Sequence, residues 1–130
     1  MTMRWPTYAA LTLALAGTIF AGVGDGLWLR KVPAKDRART NPFAADPDAP
    51  PAGAKIFAEH CAPCHGPDAE GKQEGKRVRP NLHSERVKLA MPGELFWLLT
   101  NGSQKNGMPS WSRLPEAQRW QVISFLKSLQ

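Results

Sequence analysis

The two cysteines of this chain lie three residues apart, and a histidine follows the second at once, in the run Cys61-Ala62-Pro63-Cys64-His65. On a helical turn, positions i, i+3 and i+4 share one face. Two thiols and one imidazole are therefore presented together to whatever packs against that face. A shuffled chain of the same composition would contain this arrangement about 4 times in 10,000, so the run is specific.

This arrangement suits covalent haem attachment. The thiols of Cys61 and Cys64 can form thioethers with the two vinyl groups of a haem, while a ring nitrogen of His65 binds the iron. A disulfide closing so short a loop would stabilise little. The flanking residues lack the strand pattern of a thioredoxin-like redox unit, and a zinc site would need a second Cys/His pair. The sequence therefore predicts one haem c attached through Cys61 and Cys64.

The second iron ligand must come from another part of the chain. A methionine thioether opposite a histidine raises the reduction potential, which suits an electron carrier. Two methionines lie outside the N-terminal segment, Met91 and Met108. Met91 begins a predicted helix, where packing is its expected role, and Met108 lies in a loop rich in glycine and proline. His83 is a further alternative.

The N-terminal residues form an uncharged apolar stretch. Arg4 precedes it, and no charged residue occurs from Thr7 to Gly24. A basic start followed by an apolar middle and small residues is typical of an export signal. About twenty such residues would also span a membrane as an uncleaved anchor. Residues 1–30 are therefore interpreted as a signal peptide or transmembrane anchor, with both alternatives open, and we expect membrane association through this segment.

A proline-rich stretch separates this segment from the rest of the chain. Five prolines occur between residues 33 and 53, and no helical or alternating apolar period survives there. Such composition is typical of a stiff, semi-extended spacer. Residues 31–52 are interpreted as a linker; the alternative is an irregular loop packed on the domain, with Phe43 as the residue that packs.

The remaining residues, 53–130, form a domain of roughly 78 residues, a size at which an apolar core alone gives marginal stability. A helix is predicted from Pro92 to Thr100, ending at an Asn-Gly pair. The last helix opens at Pro115 and Glu116, and its apolar residues recur with a 3.6-residue period. Haem burial would supply the additional stability that so small a domain needs.

Several separated motifs in residues 53–130 resemble the class I, or mitochondrial-type, cytochrome c domain of bacterial single-haem proteins. A glycine and an aromatic residue four apart, Gly53 and Phe57, precede the attachment run, and an aromatic residue, Phe125, lies on the last helix. The resemblance implies an all-α fold of three to four helices around one covalently bound haem, preceded by the N-terminal export or anchor helix. It also implies that the first and last helices cross at Gly53.

The same resemblance implies roles for individual residues. The loop around Met108 is similar to the family's distal-ligand loop, so the metal ligands are expected to be His65 and Met108 rather than Met91. A Pro-Asn-Leu turn is matched at residues 80–82. The Pro80 carbonyl is then expected to accept the hydrogen bond of the His65 ring N–H, and Leu82 to pack on the haem.

The function implied by the resemblance is transfer of one electron between a redox-protein donor and acceptor outside the cytoplasmic membrane, not an enzymatic reaction. The expected location is the periplasm or the periplasmic face of the inner membrane. One alternative is a haem subunit of a larger membrane dehydrogenase or oxidase complex. Another is a ligand-binding or peroxidase-like haem protein, if Met108 does not bind the iron. The net charge of +6 is interpreted as an ordinary solvated surface with a modest positive excess, and a docking face for an acidic partner is the alternative. No basic helix indicates nucleic-acid binding.

Overall fold

The structure, a computed structural model, describes residues 27–130. The predicted signal or anchor segment therefore lies outside the described residues except for its last four. Within the described range, the α-helices and strands are, in chain order, α1 (Ala34–Arg37), α2 (Ala49–His60), α3 (Ala62–His65), β1 (Lys72–Glu74), β2 (Arg77–Arg79), α4 (Glu85–Leu89), α5 (Pro92–Asn101) and α6 (Glu116–Ser128). None of the helices in residues 27–130 combines the length and apolar character that a membrane crossing requires.

Helices α2 and α6 cross where Gly53 lies against the backbone of α6. A Cβ atom on Gly53 would overlap the carbonyl oxygen of Gln121 and sit 3.0 Å from the Cβ of Phe125. Just beyond the crossing, the rings of Phe57 and Phe125 meet with their centroids 5.2 Å apart. The crossing at Gly53 that the family resemblance implies is therefore present, and the lack of a side chain on Gly53 permits it.

Helix α5 completes the core by packing an aromatic ring on α6. The rings of Phe96 and Trp120 stack with centroids 4.0 Å apart. Trp120 and Ile123 are buried almost completely, as expected for the apolar face of an amphipathic helix. This core lies beside the Cys61–His65 turn, because α2 leads directly into that turn.

The stretch expected to be a spacer instead packs on the domain. Val32 is buried, and the Asn41 side chain donates hydrogen bonds to Ser124 Oγ at 2.9 Å and to the Trp120 carbonyl oxygen at 3.2 Å. Phe43 packs against the core. The structure thus favours the alternative of a packed loop over the spacer.

Helix α2 begins at Ala49, inside residues 31–52 that were interpreted as the linker. Its first turn contains Pro50 and Pro51, at positions where proline is tolerated because the first N–H groups of a helix have no partner within it. The division of the chain into residues 1–30, 31–52 and 53–130 remains a prediction.

A small antiparallel hairpin corrects the expectation of an all-α fold. Strands β1 and β2 pair with Lys72 opposite Arg79 and Glu74 opposite Arg77. Gly75, with φ of +60°, allows the tight turn between them. The described part of the chain is therefore mostly helical with one two-stranded sheet. The hairpin gave no apolar alternation in the sequence because its strands have three residues each and are almost entirely polar.

Candidate haem-binding site

The attachment run forms a tight turn between two helices. Cys61 ends α2, and its carbonyl oxygen accepts the backbone N–H groups of Cys64 and His65 at 3.0 and 2.8 Å. Pro63 lies in the first turn of α3, where its missing N–H costs nothing. Both thiols are free and half-buried. The turn therefore presents the two cysteines and the histidine with the helical spacing inferred from the sequence.

The surroundings of the cysteines disfavour the other roles of such a pair. Burial, with a smaller contribution from Cys64, raises the pKa of Cys61 to about 11, whereas a reactive redox cysteine has a lowered pKa. Within residues 27–130 the strands form only the hairpin, so a thioredoxin-like βαβ setting is absent from that range. The same residues contain no cluster of three His, Cys, Asp or Glu side chains able to hold a metal ion.

His65 is oriented by a backbone carbonyl. Its Nδ1 atom lies 3.2 Å from the carbonyl oxygen of Pro80. Burial lowers the pKa of His65, the Pro80 hydrogen bond opposes that shift, and the positive charge of Arg79 adds to it. A neutral imidazole that donates from Nδ1 leaves Nε2 without a proton and able to bind a metal. This donor arrangement fits an axial ligand of haem iron.

The turn that supplies the Pro80 carbonyl is tied to the attachment run by backbone hydrogen bonds. Gly71 N–H donates to the His65 carbonyl oxygen at 2.7 Å, and Leu82 N–H donates to the Ala69 carbonyl oxygen at 2.8 Å. Leu82 is half-buried against the core. His83, the alternative ligand, places Nε2 2.7 Å from the Asp68 carbonyl oxygen, which leaves Nδ1 as its other ring nitrogen.

Met108 lies in a loop closed by its own backbone. Ser103 N–H donates to the Met108 carbonyl oxygen at 2.8 Å, and Met108 N–H donates back to Ser103 at 3.0 Å. Gly107 makes the bend with a left-handed φ of +78°. A cleft of about 430 Å³ lies beside Met108 and is lined by this loop, without His65. Met108 itself is half-buried and packs against the core.

Met91, the other methionine considered as a ligand, occupies a different environment. It is 47% exposed and precedes α5, where its backbone N–H donates to the Glu94 carboxylate at 2.8 Å. Its position is that of a helix cap. The roles of Cys61, Cys64, His65, Met108, Pro80 and Leu82 toward a haem remain predictions.

Two contacts around the site have no counterpart in the sequence analysis. The His60 and Trp111 rings meet with centroids 5.5 Å apart, which joins the residue before Cys61 to the loop that contains Met108. Arg79 approaches Gly107, which joins that loop to the Pro80 turn. Neither His60 nor Arg79 belongs to a spaced motif in the sequence. The only signal in the sequence is that His60 precedes Cys61 and Arg79 precedes Pro80, and both Cys61 and Pro80 are predicted haem-binding residues.

The domain is mostly helical, and its Cys-x-x-Cys-His turn lies beside a histidine that is oriented by a backbone carbonyl. Together with the hydrogen-bonded methionine loop, these features define a c-type cytochrome. The residues fit a haem: two free thiols on one helical turn, and an imidazole with one nitrogen free to bind iron. The comparisons with known proteins narrow this class further.

The chain belongs to the family described as cytochrome c oxidase, cbb3-type, subunit III, whose model matches residues 48–126. A cytochrome c domain of this kind implies covalently bound haem c and a role in electron transfer.

Among similar proteins is the Cbb3-type cytochrome c oxidase subunit FixPc of Rhizobium leguminosarum bv. viciae, 36% identical over 85% of this chain and 38% of that protein. FixP of Rhizobium etli is 37% identical over the same shares. CcoP of Rhodobacter capsulatus is 41% identical over 60% of this chain and 28% of its own length. The chain thus spans less than two fifths of the length of these relatives. No solved structure matches it significantly.

Proposed function

We propose that this chain holds one haem c and transfers single electrons as a haem-bearing subunit of a membrane-bound, cbb3-type cytochrome c oxidase. The observation that carries the proposal is the attachment turn, with two free thiols and with His65 held by the Pro80 carbonyl. The names of the relatives, all subunits of such oxidases, favour this interpretation over the free carrier that the class I resemblance implied.

In this proposal different residues of the chain attach the haem, bind its iron and orient the iron ligands. Cys61 and Cys64 would hold the haem at the end of α2, and His65 and Met108 would bind its iron. A haem bound here supplies the one-electron change between ferrous and ferric iron. The Pro80 carbonyl fixes the orientation of the His65 ring, and the Ser103–Met108 backbone pair holds the methionine loop in one conformation.

The protein also sets the polarity around the iron. Half-buried apolar side chains near the ligands, including Leu82 and Trp111, pack against the core and exclude water. A dry site favours the less charged ferrous form, and a methionine ligand acts in the same direction. We place the domain at the periplasmic face of the inner membrane, with the membrane oxidase as the partner.

Covalent attachment is the first test. The full chain is produced together with a periplasmic haem-attachment system and run on a denaturing gel stained for haem. The wild type is expected to stain, and the double variant Cys61→Ala/Cys64→Ala is expected to lose the stain. Pro63→Ala is the matched control, because it changes the same turn and keeps both thiols. Stain retained by the double variant would overturn the attachment site.

Membership in an oxidase complex needs a separate test. The tagged chain is purified from mild-detergent extracts of membranes of its own host, and oxygen consumption and haem content are measured in the eluate. We expect haem c to elute with oxygen-reducing activity in a fixed ratio. Haem c that is recovered from the soluble fraction without oxidase activity would instead identify a free carrier.

A further inference from the structure

Arg79 stands out among the basic residues of the hairpin because part of its side chain is buried. Its Nε atom is shielded from solvent and has no hydrogen-bond partner in residues 27–130. No acidic side chain in that range lies within 4.0 Å of its guanidinium. Arg77, two residues earlier on the same strand, is exposed and lies opposite Glu74.

The position of the Arg79 side chain relates it to both predicted iron ligands. Its backbone precedes Pro80, whose carbonyl oxygen accepts the His65 hydrogen bond. Its Nη1 atom lies 3.4 Å from the position of a Cβ atom on Gly107, the residue before Met108. The charge of Arg79 is also close enough to lower the pKa of His65.

A haem held by His65 and Met108 would lie between the end of α3 and the loop that contains Met108. The Arg79 side chain reaches from the residue before Pro80 to Gly107, so it would lie beside the edge of such a haem. Two rim substituents, the vinyl groups, would be joined to Cys61 and Cys64. The only charged groups on the rest of the rim are the two propionates.

An Arg79 Nε–H group that is shielded from water and has no acceptor among the described residues is unfavourable, since it loses hydration and gains no partner. Carboxylates are the anions that the planar set of donors of a guanidinium pairs with best. We propose that Arg79 binds a propionate carboxylate of the haem, and so fills the donor that the protein leaves unpaired. This inference rests on the proposed haem site and adds a residue to it.

The pairing of Arg79 with a propionate should affect the ratio of ferrous to ferric haem. An unpaired propionate close to the iron stabilises the ferric form by its negative charge, and a bound guanidinium cancels that effect. Arg79→Gln should therefore lower the ratio of ferrous to ferric haem, at a fixed applied potential, by about fivefold. Arg79→Lys keeps the charge and loses the paired donors, so most of the ratio should be retained.

The experiment measures two properties of the purified full chain with its haem, without any partner protein. One is the midpoint potential of the wild type, Arg79→Gln, Arg79→Lys and the exposed control Arg77→Gln. The other is the resonance Raman band of propionate bending, which reports on hydrogen bonding to the carboxylates. We expect Arg79→Gln to change both, Arg79→Lys to shift the band while largely keeping the potential, and Arg77→Gln to change neither.

A propionate band that stays unchanged in both Arg79 variants would overturn the inference. An equal shift of potential in Arg77→Gln and Arg79→Gln would also overturn it, because the effect would then be that of any nearby charge. If Arg79→Gln does not take up haem, the band of Arg79→Lys decides. Absence of covalent haem in the wild type would instead overturn the proposed function, so the two failures are distinguishable.

Discussion

Gly53 of α2 and Gln121 of α6 meet backbone to backbone: a methyl group on Gly53 would overlap the Gln121 carbonyl oxygen. The obstacle is main chain, so it cannot be relieved by rotating a side chain. The contact fixes how closely the two longest helices of the described residues approach, and α2 carries the attachment turn at its end. The packing of the domain and the position of the haem site thus depend on one glycine.

Replacement of Gly53 by alanine should therefore destabilise the domain. Alanine favours a helix over glycine by about 1 kcal/mol, but overpacking against a backbone costs about 1–3 kcal/mol or more. We expect a net loss of about 2 kcal/mol in the free energy of unfolding, measured by denaturant titration of the haem-loaded protein. Ala58→Gly, at an exposed position of the same helix, should cost about 1 kcal/mol from helix propensity alone. Unchanged stability in Gly53→Ala would show that the helices can separate freely.

Removal of the Met108 side chain tests the second axial ligand. Met108→Ala should lower the midpoint potential by at least the equivalent of a tenfold change in the ferrous-to-ferric ratio, about 59 mV for one electron. It should also remove the long-wavelength sulfur–iron band of the ferric spectrum and let carbon monoxide bind the ferrous form. Met91→Ala is the matched control, because Met91 is exposed at the start of α5. If Met91→Ala gave these changes and Met108→Ala did not, the ligand assignment would be reversed.

The docking of the stretch before α2 depends on Asn41. Its amide donates to Ser124 Oγ and the Trp120 carbonyl oxygen and accepts from the Phe43 N–H at 2.9 Å. Loss of this network in Asn41→Ala should cost about 1–3 kcal/mol of unfolding free energy, since buried polar partners are left unpaired. Thr40→Ala, at the exposed neighbouring position, should change stability by less than about 0.5 kcal/mol. Equal stability of both variants would restore the spacer interpretation.

The sequence predicted those parts of the fold that depend on periodic apolar residues or on residues with special backbone requirements. Helix α6 begins at Glu116, as expected from its opening residues, and α5 occupies Pro92–Asn101, one residue beyond the prediction. The resemblance to the class I cytochrome c domain implied the helix crossing at Gly53, where only glycine permits so close an approach. The attachment turn was predicted for a related reason, since its chemistry requires a fixed spacing.

The remaining features depend on polar contacts between residues far apart in the chain, which leave no periodic signal. Asn41 is 83 positions from Ser124, and its neighbours are prolines and charged residues that are typical of a linker. The hairpin likewise has no periodic apolar pattern in the sequence, because its two strands are short and almost entirely polar. Arg79 was indistinguishable in the sequence from the basic residues around it, and only its burial sets it apart. Burial of polar side chains is decided by tertiary packing, and the local pattern does not record it.

The last helix is linked to α4 by Lys127. Its ammonium group donates to the carbonyl oxygens of Val87 and Lys88 in the last turn of α4 and of Ala90 just after it, which have no partner within the helix. Lys127→Met keeps the apolar stem and removes the donors, and should lower the free energy of unfolding by about 1 kcal/mol at pH 7. Lys88→Met, whose side chain is exposed, should have a smaller effect.

The stabilising effect of Lys127 should also depend on pH. Burial lowers the pKa of Lys127 below 10.5, and Glu94 opposes this shift in part. Because the folded state binds the proton more weakly than the unfolded state, stability rises with pH between the lowered pKa and 10.5. The difference in unfolding free energy between the wild type and Lys127→Met should therefore increase between pH 7 and pH 10. A difference that decreases over this range would mean that the carbonyl hydrogen bonds of the ammonium group, together with attraction to Glu94, outweigh the loss of hydration.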